Sequence, residues 1–219
     1  MSMKNPELYL KPTETIDSEH ETIQKTAKKL THGCTSEVEK AVKLFYFVRD
    51  SIHYNAYMVS VYLEDYKAST VLVRGKGYCV QKAVLLTALG RAAGIPSRLV
   101  FAKIKNYRLA AHLIERSGTN VIPGHGYNQF FLDGRWVSAA ATFDRELCKK
   151  NRFRTVEFDG MLDSVLPETD LDGNPHIEYL EKCGPQADLP MEWIREEISK
   201  RWGSEKRAWL SEEDSKEYK

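Results

Sequence analysis

Short spacings between cysteines are missing from this chain. Its four cysteines, Cys34, Cys79, Cys148 and Cys183, form neither a CxxC pair nor a zinc-ligand spacing, and they lie too far apart to indicate a disulfide framework. We therefore expect reduced thiols, no metal site and no cofactor.

Long apolar runs are missing as well. The first twenty residues, MSMKNPELYLKPTETIDSEH, lack the apolar region of a signal peptide. No stretch elsewhere reaches the roughly 18 apolar residues that a membrane span requires. We therefore expect a cytoplasmic protein with no membrane partner.

A charge excess of either sign is also absent. Lysine and arginine number 32 and aspartate and glutamate number 31, which gives a formal net charge of +1. Because nucleic acid is bound through concentrated positive charge, we expect no nucleic-acid partner. The basic run at 149–154 is explained as well by a solvated loop as by a phosphate contact. Charge and composition leave the oligomeric state unknown.

The composition is that of a folded globular protein, with 42% hydrophobic residues in a chain of 219. This length favours one main domain with appendages over two equal domains. We divide the chain into an N-terminal segment at 1–17, a core at 18–148 and a loop-rich and helical C-terminal extension at 149–219 that packs on the core.

Helical periodicity comes first along the chain and strand-like alternation comes later, without regular βαβ order. This order favours an α+β fold with an antiparallel sheet. Asp133-Gly134 is suited to a two-residue type I′ turn between two strands. The last residues, SEEDSKEYK, are expected to be a solvated tail. The predicted helices cover 18–31, 35–53, 79–93 and 191–202, and the predicted strands cover 97–104, 127–132 and 135–143.

Cys79 stands at the first turn of the central predicted helix, shortly after Gly75 and Gly77. Unpaired backbone N–H groups and the helix dipole stabilise a thiolate at such a position, so we expect a lowered thiol pKa and a good nucleophile. The same N–H groups are suited to hold an oxyanion. A buried core cysteine is the structural alternative.

His125 is the candidate base for this thiol. It lies between Gly124 and Gly126, immediately before an alternating strand, and its small neighbours leave the imidazole accessible. A base for a cysteine nucleophile comes from a distant segment that the fold brings near. Taken alone, however, a histidine is more often a surface or satisfied residue.

Two segments resemble the transglutaminase-like superfamily. The segment 68–100 contains Gly77-Tyr78-Cys79 followed by RAAGIPSRLV, which resembles the family's nucleophile helix and the turn after it. The segment 125–144, HGYNQFFLDGRWVSAAATFD, resembles the next block, in which a histidine opens a strand and a D-G turn leads to W-V. The resemblance implies a papain-like/transglutaminase-like core, in which the nucleophile-bearing helix packs on an antiparallel sheet. It also implies Cys79 as nucleophile and His125 as base.

The chain departs from the family pattern at the third catalytic residue. An aspartate normally follows the W-V pair and orients the histidine, but Ala140 stands at that position here. If the turn pairs Leu132 with Arg135, His125 lies opposite Thr142, and Asp144 becomes a diagonal neighbour on the same face. Asp144 is therefore our candidate third catalytic residue.

Other groups remain alternatives for orienting the histidine. They are Asn128, Thr142 and a carboxylate from the loops at 157–172. Aromatic walls exclude water and hold acyl or peptide groups, so a groove near the site is expected. The predicted substrate-binding residues are Tyr78, Tyr127, Asn128 and Trp136, and Tyr54 and Tyr107 are further candidates for the groove.

The resemblance implies a cysteine-nucleophile hydrolase or acyltransferase acting on an amide bond. The Cys79 thiolate attacks the carbonyl, His125 protonates the leaving amine, and water or a second amine resolves the thioester. The partner is then a peptide or another amide-containing substrate. The alternative is a weakened or inactive binding module, because Ala140 replaces the usual aspartate. A purely structural role has no positive signal beyond the C-terminal amphipathic helix.

Overall fold

The computed structural model describes residues 5–202, so the predicted solvated tail lies outside the described residues. The expected α+β fold is confirmed, with helices packed on an antiparallel sheet. None of the helices in the described part is long and apolar enough to cross a bilayer.

The α-helices are α1 (Glu21–Leu30), α2 (Glu37–Ser51), α3 (Ala68–Arg74), α4 (Cys79–Ala92), α5 (Ala111–Ser117), α6 (Arg145–Asn151) and α7 (Met191–Trp202). The strands are β1 (His53–Tyr54), β2 (Lys76–Gly77), β3 (Ser97–Asn106), β4 (Val121–Leu132), β5 (Arg135–Ala139) and β6 (Ile177–Gln186), and Pro6–Leu10 and Leu63–Asp65 form 3₁₀ helices.

The main sheet has the order β5-β4-β3-β6, and its neighbouring strands are antiparallel. The predicted turn and its register are confirmed, because Leu132 pairs with Arg135 and both Asp133 (φ 47°) and Gly134 (φ 79°) have positive φ. The short parallel pair β1–β2 aligns Tyr54 with Gly77. This pairing holds the segment around Tyr54 beside the start of α4.

Helix α4 is the centre of the molecule. Every residue from Cys79 to Arg91 is buried, including the polar side chains of this segment. A Cβ at Gly90 would lie 2.6 Å from the ring of Phe130 on β4, so the absence of a side chain lets the helix pack closely on the sheet. The predicted nucleophile-bearing helix packed on an antiparallel sheet is therefore present.

Strand β5 is shorter than predicted, and this changes the environment of His125. The strand ends at Ala139, opposite Asn128, instead of continuing to residue 143. On the edge of β5 that faces away from β4, the N–H of Ala140 donates to the carbonyl of Ser164 at 2.8 Å. The expected pair between His125 and Thr142 is therefore not formed.

The predicted C-terminal extension contributes a strand that the sequence patterns missed. Strand β6, Ile177–Gln186, pairs with β3 at the edge of the sheet. Most of its side chains are exposed, and it contains Gly184 and Pro185, so it lacks the alternation of a half-buried strand. Helices α3, α5 and α6 also form where the sequence analysis predicted neither a helix nor a strand. The predicted helix at 191–202 is confirmed as α7.

Candidate active site

The thiol of Cys79 lies at the first position of α4, and its residue is only 7% exposed. Burial raises the pKa of the thiol to about 11, although the backbone N–H groups of Gly126, Val80 and Cys79 itself favour the thiolate. The expected lowering of the thiol pKa is therefore wrong for this state of the molecule. The loss of solvation raises the thiol pKa more than the N–H groups at the start of the helix lower it, so the resting thiol is protonated at neutral pH.

Gly126 brings strand β4 against the start of α4. A Cβ at Gly126 would lie 3.0 Å from the backbone Cα of Val80, so there is no room for a side chain without displacement. Because β5 stops opposite Asn128, β4 has no neighbouring strand on that side at Gly126. Its N–H instead favours the Cys79 thiolate. The thiol of Cys79 thus lies beside the residue that follows His125.

His125 is 2% exposed and lies on the opposite face of β4 from Gly126, because side chains alternate along a strand. Its ring centroid lies 6.0 Å from that of Tyr127 and 6.1 Å from that of Tyr179. Burial lowers the pKa of the imidazole to about 4. The ring is therefore neutral at neutral pH and is able to accept a proton. Among the described residues, no hydrogen bond joins this ring to Cys79, and Nε2 has no partner.

The carboxylate of Asp144 has two partners, and neither is His125. One oxygen accepts the N–H of Leu147 at 2.9 Å and caps α6, and the other accepts the N–H of Tyr54 at 2.8 Å. The sequence argument for Asp144 as orienter required β5 to extend past residue 142, and the strand does not do so. The structure instead places the carboxylate of Asp144 against the backbone N–H of Tyr54.

Among the alternative orienters, neither Asn128 nor Asp163 is hydrogen-bonded to the imidazole. Asn128 is completely buried, and neither atom of its amide has a hydrogen-bond partner in the described chain. From the loops at 157–172, Asp163 accepts the N–H of Ser138 at 2.7 Å. Ala140 is completely buried at the position where the family pattern has aspartate.

A cavity of about 130 Å³ opens beside Cys79. It lies between the segment at 54–59, the start of α4, helix α5, the beginning of β4 and helix α7. Tyr54 and Tyr78 line it together with the thiol, as the sequence predicted for a groove. The hydroxyl of Tyr78 is hydrogen-bonded to that of Tyr66 at 2.9 Å. The pKa of Tyr54 is raised, first by burial and then by the nearby charge of the Cys79 thiolate.

Four of the predicted groove residues lie elsewhere in the described structure. Trp136 packs its ring 5.1 Å from that of Tyr9 and under the guanidinium of Arg98, and the hydroxyl of Tyr107 donates to Glu178 at 2.7 Å. Tyr127 and Asn128 are buried in the sheet outside the cavity wall.

The residues of α5 and α7 in the cavity wall were not predicted from the sequence. The amphipathic pattern at 191–202 indicated a helix but not the surface that it covers. Trp193 of α7 packs over Gly124, where a Cβ would lie 2.9 Å from the indole. Within residues 5–202, no group of three or more histidine, cysteine, aspartate or glutamate side chains is arranged to hold a metal ion.

Comparison with known proteins places these features in a family context. Residues 24–141 match the model of the transglutaminase-like superfamily. The "putative cysteine protease" from Cytophaga hutchinsonii is 16% identical with a TM-score of 0.48, over 81% of this chain and 53% of its own. The "putative protease" from Parabacteroides distasonis is 19% identical with a TM-score of 0.41, over 59% of this chain and 26% of its own. This chain thus covers less than two thirds of either structure, and no curated protein matches it.

Proposed function

Because this chain belongs to the transglutaminase-like superfamily, we propose that it is a cysteine-nucleophile hydrolase or acyltransferase acting on the amide bond of a peptide or a related substrate. Cys79 is the nucleophile and His125 is the base. The observation that carries the proposal is the position of the Cys79 thiol. It lies at the start of α4, opens onto a cavity and is approached by three backbone N–H groups, one of them from the residue after His125.

The reaction starts from two neutral groups, because the thiol pKa is about 11 and the imidazole pKa is about 4. His125 takes the thiol proton as the sulfur adds to the carbonyl carbon, so proton transfer accompanies attack. Catalytic hydrogen bonds often form only when substrate binds. Because His125 lies on the opposite face of β4 from the contact of Gly126 with α4, proton transfer requires the imidazole to turn toward the sulfur, and its unpartnered Nε2 then accepts the proton. The N–H groups at the start of α4 stabilise the oxyanion.

Collapse of the tetrahedral intermediate breaks the C–N bond, and the imidazolium of His125 gives its proton to the leaving amine. The acyl group remains on the sulfur of Cys79 as a thioester. Water resolves this thioester in an amidase or protease, and a primary amine resolves it in a transglutaminase-type reaction.

Asp144 acts as a positioning residue in this account. Its carboxylate holds the backbone of Tyr54, whose side chain lines the cavity with Cys79. No carboxylate among the described residues is hydrogen-bonded to His125, so the imidazolium gains less stabilisation than in a complete triad. Loss of a strong orienter lowers the rate without abolishing it, because the nucleophile, base and oxyanion donors remain.

The second candidate function is a binding module with weakened or no catalysis. The observation that favours it is the combination of Ala140 at the family's aspartate position with a protonated resting thiol at Cys79. The two functions differ in whether an acyl group is transferred to sulfur.

Turnover of a mixed library of fluorogenic peptide amides tests the proposal. Wild-type protein is compared with Cys79→Ala and His125→Gln, and a fluorescent primary amine is added to detect acyl transfer. We expect turnover that both variants lose, by a factor of about 10³ or more for the nucleophile. Turnover that is unaffected by Cys79→Ala excludes the proposal. Ligand binding without any turnover favours the binding module.

A further inference from the structure

The cavity beside Cys79 has walls made mainly of aliphatic side chains from three elements. Leu113 comes from α5, Ile122 from β4, and Ile194 and Ile198 from α7. Helix α7 lies outside the part of the chain that matches the family model, residues 24–141. The part of the wall that α7 contributes therefore lies outside the matched core.

The polar side chains that α5 and α7 contribute to the wall already have protein partners. The hydroxyl of Ser117 lies 2.7 Å from the carbonyl oxygen of Leu113. Glu197 is paired with Lys200 at 2.8 Å, and Arg201 donates to the carbonyl of Val121 at 2.6 Å. A charged substrate group entering this space would lose water without finding a dedicated partner, which is unfavourable.

We propose that this cavity, which we name the acyl pocket, holds a branched aliphatic side chain on the acyl side of the scissile amide. The inference rests on the proposed function, because it places the substrate by its bond to Cys79. The acyl half of the amide is the part that becomes joined to the sulfur, whereas the amine departs. A cavity with Cys79 in its wall must therefore accept the acyl half.

The volume of the acyl pocket sets the size of the side chain. A dry apolar cavity of about 150 Å³ binds benzene, so the volume of about 130 Å³ accommodates the side chain of valine, leucine or isoleucine. Burial of such a side chain against the aliphatic wall is favourable because it removes apolar surface from water. The substrate class is therefore an amide whose acyl residue is branched and aliphatic.

The first test measures kcat/KM for N-acetyl-aminoacyl coumarin amides of leucine, alanine, lysine and aspartate. We expect leucine to exceed alanine by about 10- to 100-fold, and both charged residues to fall below alanine. Ala56→Phe fills the acyl pocket from the loop at 54–59. It should reduce the leucine rate by about tenfold or more and the alanine rate by less than about threefold.

Val73→Phe is the matched control, because Val73 is 78% exposed on α3 and lies outside the cavity wall. It should leave both rates unchanged. Turnover of the lysine or aspartate amide equal to that of leucine overturns the acyl pocket while leaving the amidase proposal intact. An equal loss for leucine and alanine in Ala56→Phe also overturns it.

A second measurement separates the acyl pocket from catalysis. The rate of Cys79 alkylation is compared for 2-iodo-N-(3-methylbutyl)acetamide and 2-iodo-N-(2-carboxyethyl)acetamide, read by peptide mass spectrometry. Faster reaction of the aliphatic reagent, reduced in Ala56→Phe but not in Val73→Phe, supports the acyl pocket even when no amide is turned over. Equal rates for the two reagents overturn the acyl pocket.

Discussion

The carboxylate of Asp144 accepts a hydrogen bond of 2.8 Å from the backbone N–H of Tyr54. This bond joins the cap of α6 to the segment that lines the cavity beside Cys79. Asp144 thus contributes to the site by fixing the position of Tyr54 and has no contact with the imidazole of His125. The distinction can be tested because the two roles affect different measurements.

Asp144→Ala should lower the free energy of unfolding by about 2–3 kcal/mol, because it removes a helix cap and leaves the Tyr54 N–H without its acceptor. Urea denaturation measures this loss. Asp144→Asn retains an acceptor oxygen and should lose less.

The acid limb of the pH profile of kcat/KM distinguishes two roles for Asp144, which are the positioning of Tyr54 and the orientation of the His125 ring. Because His125 must be neutral to act as base, this limb should lie near pH 4, the pKa of the buried imidazole. Asp144→Asn should not move it, since Asp144 does not contact the ring. A shift of a unit or more would show that Asp144 acts on His125.

The thiol of Cys79 should react slowly with small alkylating reagents at neutral pH. Because burial raises its pKa to about 11, the midpoint of its alkylation rate should lie well above the value of about 8.5 for a free thiol. Peptide mass spectrometry after timed iodoacetamide treatment gives the profile. His125→Gln should change the midpoint little, because no hydrogen bond joins the two groups in the described structure. A midpoint below pH 7 would instead indicate a preformed thiolate–imidazolium pair.

Gly126→Ala should impair both stability and turnover. The added Cβ would lie 3.0 Å from the Cα of Val80, so β4 or the start of α4 must move. Overpacking of this kind costs about 1–3 kcal/mol, and the displacement separates the Gly126 N–H from the sulfur. Gly184→Ala is the control, because nothing lies within 4 Å of a Cβ at that position on β6. Equal effects of the two exchanges on kcat/KM would contradict the close contact.

His176 should make the fold sensitive to acid. The ring is completely buried, its centroid lies 4.1 Å from that of Phe153, and neither ring nitrogen has a hydrogen-bond partner in the described chain. Burial lowers its pKa to about 4, from 6.5. The unfolded chain therefore binds the proton more readily, and stability falls as pH is lowered from about 6.5 to about 4.

His176→Phe keeps an aromatic ring between Phe143 and Phe153 and removes the titrating group. Its melting temperature should fall less than that of the wild type between pH 7 and pH 4.5. His53→Phe, at an exposed histidine, provides the matched control and should follow the wild type. Parallel melting curves for His176→Phe and wild type would show that another group causes the acid sensitivity.

Local sequence chemistry predicted the elements that are marked by apolar residues at regular spacing or by turn residues. The central helix, the turn at Asp133-Gly134 and the register that pairs Leu132 with Arg135 all follow from apolar spacing and turn residues. Strand β6 was missed because an edge strand buries few side chains and therefore lacks an alternating pattern.

The site was only partly predictable because it depends on where β5 ends. The strand ends at Ala139, where its outer edge bridges to Ser164, a residue distant in sequence, and no local pattern in the sequence indicates this end. The same limit applies to the cavity wall, since α7 was recognised as a helix without its packing surface. The thiol pKa was predicted in the wrong direction. The sequence shows the start of the helix, which lowers the pKa, but the burial that raises it depends on tertiary packing.

The most direct measurement is the mass of the protein trapped during the reaction. Wild-type protein is mixed with an N-acetyl-leucyl amide, quenched in acid within milliseconds to seconds and digested for mass spectrometry. We expect an N-acetyl-leucyl adduct on the peptide that contains Cys79 in the wild-type protein. In the Cys79→Ala variant the corresponding peptide should carry no adduct. Turnover without any adduct on Cys79 at any quench time, or an adduct on a different cysteine, would contradict the assignment of Cys79 as the nucleophile.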